Sequence, residues 1–248
     1  MTVATTSANN GTLYVKTGDL TQSAGNFTNA GTLRVYGGYD LVFSSSSTTL
    51  TNTGTITIYS SASAFGSILL SGTYSESGSG TIQYSRYIAG TDYWDLIGPP
   101  LSGYSVEDFV FDNNDRATNG SSPTTYAVGY YVNTASASST NGGWTNYNSD
   151  TYGTNLLSGK GYQMSTVGAS TGAEVTFEGT LLTSTVTRTV TTNEAGNVSN
   201  SDGTKFELIA NPYASYISTT DFINAHKDTQ LHSGHAAVYG WDGTGYDT

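Results

Sequence analysis

A chain of 248 residues can hold one large β domain or two smaller ones around a buried core. Its formal net charge of −11, with eight Lys and Arg scattered singly, argues against nucleic acid or an anionic membrane surface as a partner, since either requires clustered cations. The absence of cysteine removes disulfides, thiol catalysis and thiolate metal sites, and no apolar run is long enough for membrane insertion as a helix.

Only 11% of residues are charged, so solubility must come from the abundant Thr, Ser, Gly, Asn and Tyr, a composition suited to turn-rich β structure. Met1–Thr6 has neither the basic nor the apolar segment of a signal peptide, so an exported form is expected to have lost its leader. Asn9-Asn-Gly-Thr-Leu-Tyr-Val15, Asn29-Ala-Gly-Thr-Leu-Arg-Val35 and Asn52-Thr-Gly-Thr-Ile-Thr-Ile58 share one pattern, and Gly80-Thr-Ile-Gln-Tyr84 is a degenerate fourth copy. Spacings of 20, 23 and 26 residues between copies predict a short parallel β-solenoid over residues 1–85, each repeat one coil. Alternation sends Leu13, Leu33, Ile56 and Ile82 inward with Val15, Val35, Ile58 and Tyr84, and sends the motif threonines outward. The motif Gly and Asn are expected to supply the positive φ of a tight corner. A two-column Thr lattice of the ice-binding kind is broken by Tyr14, Arg34 and Gln83 in the second outward column.

Residues 86–248 are richer in aromatic and acidic residues and carry an internal echo. Trp94-Asp-Leu-Ile-Gly-Pro-Pro-Leu-Ser-Gly-Tyr104 returns 112 residues later as Phe206-Glu-Leu-Ile-Ala-Asn-Pro-Tyr-Ala-Ser-Tyr216. In both copies a strand meets a Pro turn, followed by Ser105-Val-Glu-Asp108 or Ser218-Thr-Thr-Asp221, a capping pattern that predicts a short helix. Phe109-Val110 and Phe222-Ile223 would dock those helices on a sheet. The second copy stops short of a counterpart to Lys160–Met164 and reads as truncated. The fold expected is all-β: a short parallel β-solenoid (1–85) followed by an internally duplicated, jelly-roll-like β-sandwich (86–248).

Candidate chemistry is sparse. Gly168-Ala-Ser-Thr-Gly172 matches a nucleophile elbow in letters only, because a strand follows it rather than a helix. His226, His232 and His235 lack the further ligands a metal site needs, and a solvated loop is the plainer reading. Asp112, Asn114 and Asp115 offer oxygens for an irregular calcium site, although Arg116 spoils any EF-hand register and a self-capping polar turn is the alternative; no other cofactor is expected. Glu174, Glu178 and Asp150 could converge as a glycosidase pair, but the two glutamates share one strand face opposite Val175 and Phe177, as surface acids do. Trp144, Tyr147, Tyr152 and Tyr162 lie in or near turns and are candidates for stacking on sugar rings, unless they are core.

The coil motif leading into Ile82-Gln-Tyr-Ser-Arg-Tyr-Ile88, followed by Trp-Asp-Leu-Ile-Gly-Pro-Pro, Ser-Gly-Lys-Gly-Tyr162, Val-Thr-Phe-Glu-Gly-Thr180 and Leu-Ile-Ala-Asn-Pro-Tyr213, resembles secreted surface proteins of Bacteroidetes exported by the type IX pathway. The resemblance implies an extracellular or cell-surface location, with the signal peptide and C-terminal sorting domain absent from this chain, and assigns no catalytic residue. The function expected is a non-enzymatic structural or adhesive module, such as a fibre or filament segment, whose partners are other surface proteins, copies of itself or glycans. The alternative is a carbohydrate-binding accessory module of a polysaccharide-degrading protein.

Overall fold

The structure is a computed structural model that describes residues 1–88, 94–113, 118–120, 122–132, 143–165, 173–190, 207–231, 240–241 and 246–247. The chain is all-β and opens with a β-solenoid of about four turns. Coil one comprises β1 (Thr2–Val3), β2 (Ser7–Asn9) and β3 (Thr12–Val15); coil two β4 (Leu20–Gln22), β5 (Phe27–Asn29) and β6 (Thr32–Val35). Coil three comprises β7 (Asp40–Phe43), β8 (Thr49–Asn52) and β9 (Thr55–Tyr59); coil four β10 (Ser67–Leu70), β11 (Thr73–Glu76) and β12 (Thr81–Ile88). Corresponding strands stack in parallel into three faces, β1-β4-β7-β10, β2-β5-β8-β11 and β3-β6-β9-β12.

The motif strands form the third face in the expected register. Leu13, Leu33, Ile56 and Ile82 align in one column and Val15, Val35, Ile58 and Tyr84 in the next. Leu33, Ile56, Ile82, Val35 and Ile58 are wholly enclosed. The first two faces contribute their own columns, Leu20–Leu41–Ile68 and Phe27–Leu50–Tyr74, and Phe27 meets Phe43 edge-on at 6.3 Å.

Each motif Asn stands inside the corner between the second and third faces. Asn9 Nδ2 donates to Asn29 Oδ1 and Asn29 Nδ2 to Asn52 Oδ1, both at 2.8 Å. The Nδ2 groups of Asn9, Asn29 and Asn52 also donate to the carbonyls of Thr32, Thr55 and Thr81, one coil further on, at 3.0–3.1 Å. The motif glycines turn out to serve a different purpose from the one expected. Positive φ occurs at other glycines, such as Gly25 and Gly38, whereas the corners at Gly31 and Gly54 are stacked so closely that a Cβ at either would lie 2.1 Å from the backbone oxygen of the motif glycine one coil below. Close approach of backbones, not left-handed geometry, selects glycine there.

After the solenoid come β13 (Asp95–Ile97), α1 (Val106–Asp112), β14 (Thr125–Val132), β15 (Gly143–Asn148), β16 (Tyr162–Met164), β17 (Ala173–Gly179), α2 (Thr219–His226), and the short pair β18 (Gly240–Trp241) and β19 (Tyr246–Asp247). β13, β16, β14 and β15 form an antiparallel sheet in that order. β17 does not join it. It pairs antiparallel with β12, from Ile82↔Gly179 to Ile88↔Ala173, and so ends the third face of the solenoid. β12 therefore runs across residue 85 and is shared by the solenoid and the region that follows.

Both helices form where the capping pattern places them. Ser105 Oγ accepts from the Asp108 N–H and Ser218 Oγ from the Asp221 N–H. Phe109 and Val110 dock as expected, and Phe109 stacks on Phe177 at 5.0 Å. Phe222 and Ile223 are only partly buried, and the Phe222 ring rests on His226 of its own helix. The echo strands meet on one segment: β13 pairs with Tyr162–Met164, while Leu208–Ala210 pairs with Gly159–Gly161 immediately before it, through Gly161 N–H to Leu208 O and Ala210 N–H to Gly159 O at 3.0 Å each.

The corner geometry separates two otherwise identical substitutions. Gly54→Ala is expected to cost about 1–3 kcal/mol or more, because the obstacle is backbone, whereas Gly11→Ala, whose Cβ meets nothing within 4 Å, should fall within about 0.5 kcal/mol of the parent in denaturant unfolding. Asn29→Asp replaces the Nδ2 bonds to Asn52 Oδ1, Thr55 O and Gly31 O with a carboxylate facing acceptor oxygens. It should destabilise by about 3 kcal/mol at neutral pH. Burial raises such a carboxyl above its unfolded value, so stability should partly return as pH falls through the folded pKa, and unfolding midpoints measured from pH 7 to 4 check the sign.

Candidate functional site

Of the four aromatics considered for sugar stacking, two are core. Tyr162 is fully buried with its hydroxyl accepting the Leu157 N–H at 2.8 Å, and Tyr147 is enclosed between Tyr130 and Tyr162. Neither presents a ring face to a ligand, because both point into the packed side of the β13-β16-β14-β15 sheet. Tyr152 is partly buried and stacks on Tyr126 at 5.7 Å. Trp144 stays 39% exposed on the outer strand of that sheet, edge-on to Tyr131. The four do not form one surface.

Of the calcium candidates, Asp112 accepts a hydrogen bond from the Tyr104 hydroxyl at 2.5 Å, while Asn114 and Asp115 lie outside the described residues. Burial, followed by that bond, pushes the Tyr104 hydroxyl far above its ordinary value. Among the described residues no group of three or more His, Cys, Asp or Glu could hold a metal. Glu174 and Glu178 are engaged across β12 by the Ser85 hydroxyl and the Gln83 amide, both at 2.9 Å. Val175 and Phe177 are buried on the opposite face, as their alternation requires. His226 Nδ1 is 3.1 Å from Gln230 Oε1. His232, His235 and Gly168–Gly172 lie outside the described residues.

A different site stands where the solenoid meets the echo turns. β12 pairs with β9 only as far as Ser85↔Tyr59, and its last three residues project past the final coil. Tyr84 and Ile88 are buried on its inner face, and Arg86 between them shares that face. The first Pro turn brings Gly98 and Pro100 against this end of the strand, and the second brings Asn211 to Ile217, enclosing a cavity of about 260 Å³ with Arg86 in its wall. The second turn is fixed from several sides. Ala214 O accepts the Ile68 N–H at 2.8 Å, Asn211 Nδ2 donates to Ser215 O, and the Tyr216 hydroxyl donates to Phe65 O at 2.8 Å. Tyr84 donates its hydroxyl to Gly66 O at 3.2 Å, and burial pushes its pKa up to about 12. Burial also lowers the Arg86 pKa, opposed by the charges of Tyr84 and Asp95, while Asp95 is itself pushed up by burial.

The signal for this site was present in the sequence. Continuing the alternation Ile82, Tyr84, Arg86, Ile88 puts a guanidinium on a core-facing column, where an ionised side chain needs a partner or a cavity.

A family model described as Domain of unknown function (DUF8693) matches residues 3–245. No curated protein and no solved structure matches the chain.

The two Pro turns touch at Gly98, where an added Cβ would lie 2.0 Å from Ala210 Cβ. Gly98→Ala is expected to destabilise by about 1–3 kcal/mol through overpacking. Ala210→Gly in the same chain should recover most of that loss, and a double-mutant cycle in urea reads the coupling between the echo copies directly.

Proposed function

The chain belongs to the DUF8693 family over nearly its whole length, and we propose that it serves as a non-enzymatic structural and adhesive module of a secreted surface protein. The observation that carries this reading is the capped solenoid, a rod that holds its own shape through a continuous core and a hydrogen-bonded Asn ladder, and that is joined to a second β region through the shared strand β12. A β-solenoid of four coils is about 15–20 Å tall, the scale of a spacer or platform. Of the carboxylates considered for hydrolysis, Glu174 and Glu178 are occupied by neighbouring side chains, which favours a structural role for those two. In the first coil, β1, β2 and β3 have a strand partner on one side only among the described residues. Edges of this kind accept further coils or strands, in keeping with self-association or attachment to other surface proteins.

Surface location and export by the type IX pathway are part of the proposal and are supported by the resemblance of the coil and Pro-turn motifs. The duplicated, jelly-roll-like sandwich is likewise our reading of residues 86–248, supported by the matched caps at Ser105 and Ser218. Protease treatment of intact producing cells should remove the chain without lysis; protection in whole cells together with recovery in the cytoplasmic fraction would sink the surface reading. A second reading, a carbohydrate-binding accessory module, is favoured by the exposed Trp144. Under that reading Trp144→Ala should lower retention on a polysaccharide column at least tenfold, and unchanged retention removes Trp144 as the contact.

A further inference from the structure

Arg86 stands where strand alternation would ordinarily put an apolar side chain. Its Cζ lies 4.6 Å from the centre of the Phe65 ring, and its Nε is enclosed without a hydrogen-bond partner. Arginine does not shed its proton to escape burial, so the charge persists. The aromatic face offsets part of that cost but cannot accept the N–H as an oxygen would. Asp95 attracts the guanidinium at longer range and is itself poorly solvated. A cation so placed, in the wall of a cavity, is poised for an anionic group that brings its own oxygens.

The remaining wall chemistry narrows the ligand. Gly66 O accepts only the Tyr84 hydroxyl among the described residues, which leaves one lone pair. Tyr84 and Tyr216, both lining residues, have committed their hydroxyl protons to backbone carbonyls, so to a ligand their oxygens can offer only acceptance. Tyr216, which also lines the cavity, is 58% exposed. One fixed cation, several acceptors and an open aromatic face match a molecule carrying one carboxylate, several hydroxyl donors and an apolar ring face. A peptide carboxylate would use the cation and leave the acceptors unmatched.

We propose that this cavity binds a uronic-acid residue of an acidic glycan, its carboxylate on Arg86, its hydroxyls donating to the Tyr84, Tyr216 and Gly66 oxygens, and its ring against Tyr216. The site goes beyond the structural role above and does not depend on it. Because Arg86 and the Pro turns are separate from Trp144, loss of one contact leaves the other testable.

The experiment is an NMR titration of the isotopically labelled full chain with glucuronate, glucose, acetate and a short peptide with a free C-terminal carboxylate. Saturable shifts are expected at Phe65–Ser67, around Arg86 and over Asn211–Ile217, with glucuronate at least tenfold tighter than the other three probes. Arg86→Met should remove that preference and Arg86→Lys should not restore it, since an ammonium lacks the planar fork. Ile217→Trp narrows the mouth from its exposed side and serves as a second variant that leaves the buried walls intact; it should abolish the same shifts with an unchanged thermal midpoint. The proposal is overturned if any other probe binds within tenfold of glucuronate, if the shifts map elsewhere, or if a folded Arg86→Met or Ile217→Trp chain binds glucuronate as the parent does.

Discussion

Everything downstream of the first coil depends on the contact between successive corners. Between coils, the Asn side chains that run up the inside of the stack donate upward, Asn9 and Asn29 to the next Asn and all three to the next coil's Thr carbonyl. This satisfies buried amides that would otherwise be costly and fixes the rotation of each coil on the one before. With rotation fixed, the Leu/Ile and Val/Ile columns fall into register, and the other two faces have little choice but to follow. A one-residue slip would turn every inward aliphatic outward.

The far end of the stack presents a different problem, because three parallel faces end in open backbone. Each is met by a different piece of the chain: β17 on the third face, the Ala214 carbonyl on the first, and a Thr180 hydroxyl reaching Glu76 on the second. Glu76 closes the second-face column in which the Asn ladder runs, since it pairs in register with Asn52. The echo turns are therefore part of the roof as well as part of the sheet behind it, and the cavity around Arg86 is the space left where roof and stack fail to close completely.

The solenoid was legible because its signal is local and repeated: Asn-x-Gly-Thr-aliphatic-x-aliphatic encodes a corner, a strand and a face in seven letters. The short caps at Ser105 and Ser218 were legible for the same reason. What the sequence concealed is long-range. Nothing in Ala173–Gly179 says that it pairs with Thr81–Ile88 rather than with the sheet nearer in sequence, and nothing in Leu208–Ala210 says that it borrows Gly159–Gly161 from the other copy. The motif glycines mislead because a close approach to a neighbouring coil and a positive φ leave the same letter. For Tyr147 and Tyr162 the sequence leaves core and ligand-facing positions open, because turn proximity is its only guide to exposure, whereas the alternation around Arg86 already places that side chain inside.

The reversal of strand direction at β17 gives the stack a polarity in how its length can change. A parallel coil cannot be laid beyond an antiparallel strand without rebuilding the corner, so the capped end behaves as a terminator. Any gain or loss of coils must happen upstream of β12, where each inserted repeat brings its own Asn, Gly and Thr and shifts the roof bodily by one inter-strand step of about 4.8 Å. Relatives of this chain can then differ in reach by whole steps while the roof, its cavity and everything attached beyond it are carried along unchanged.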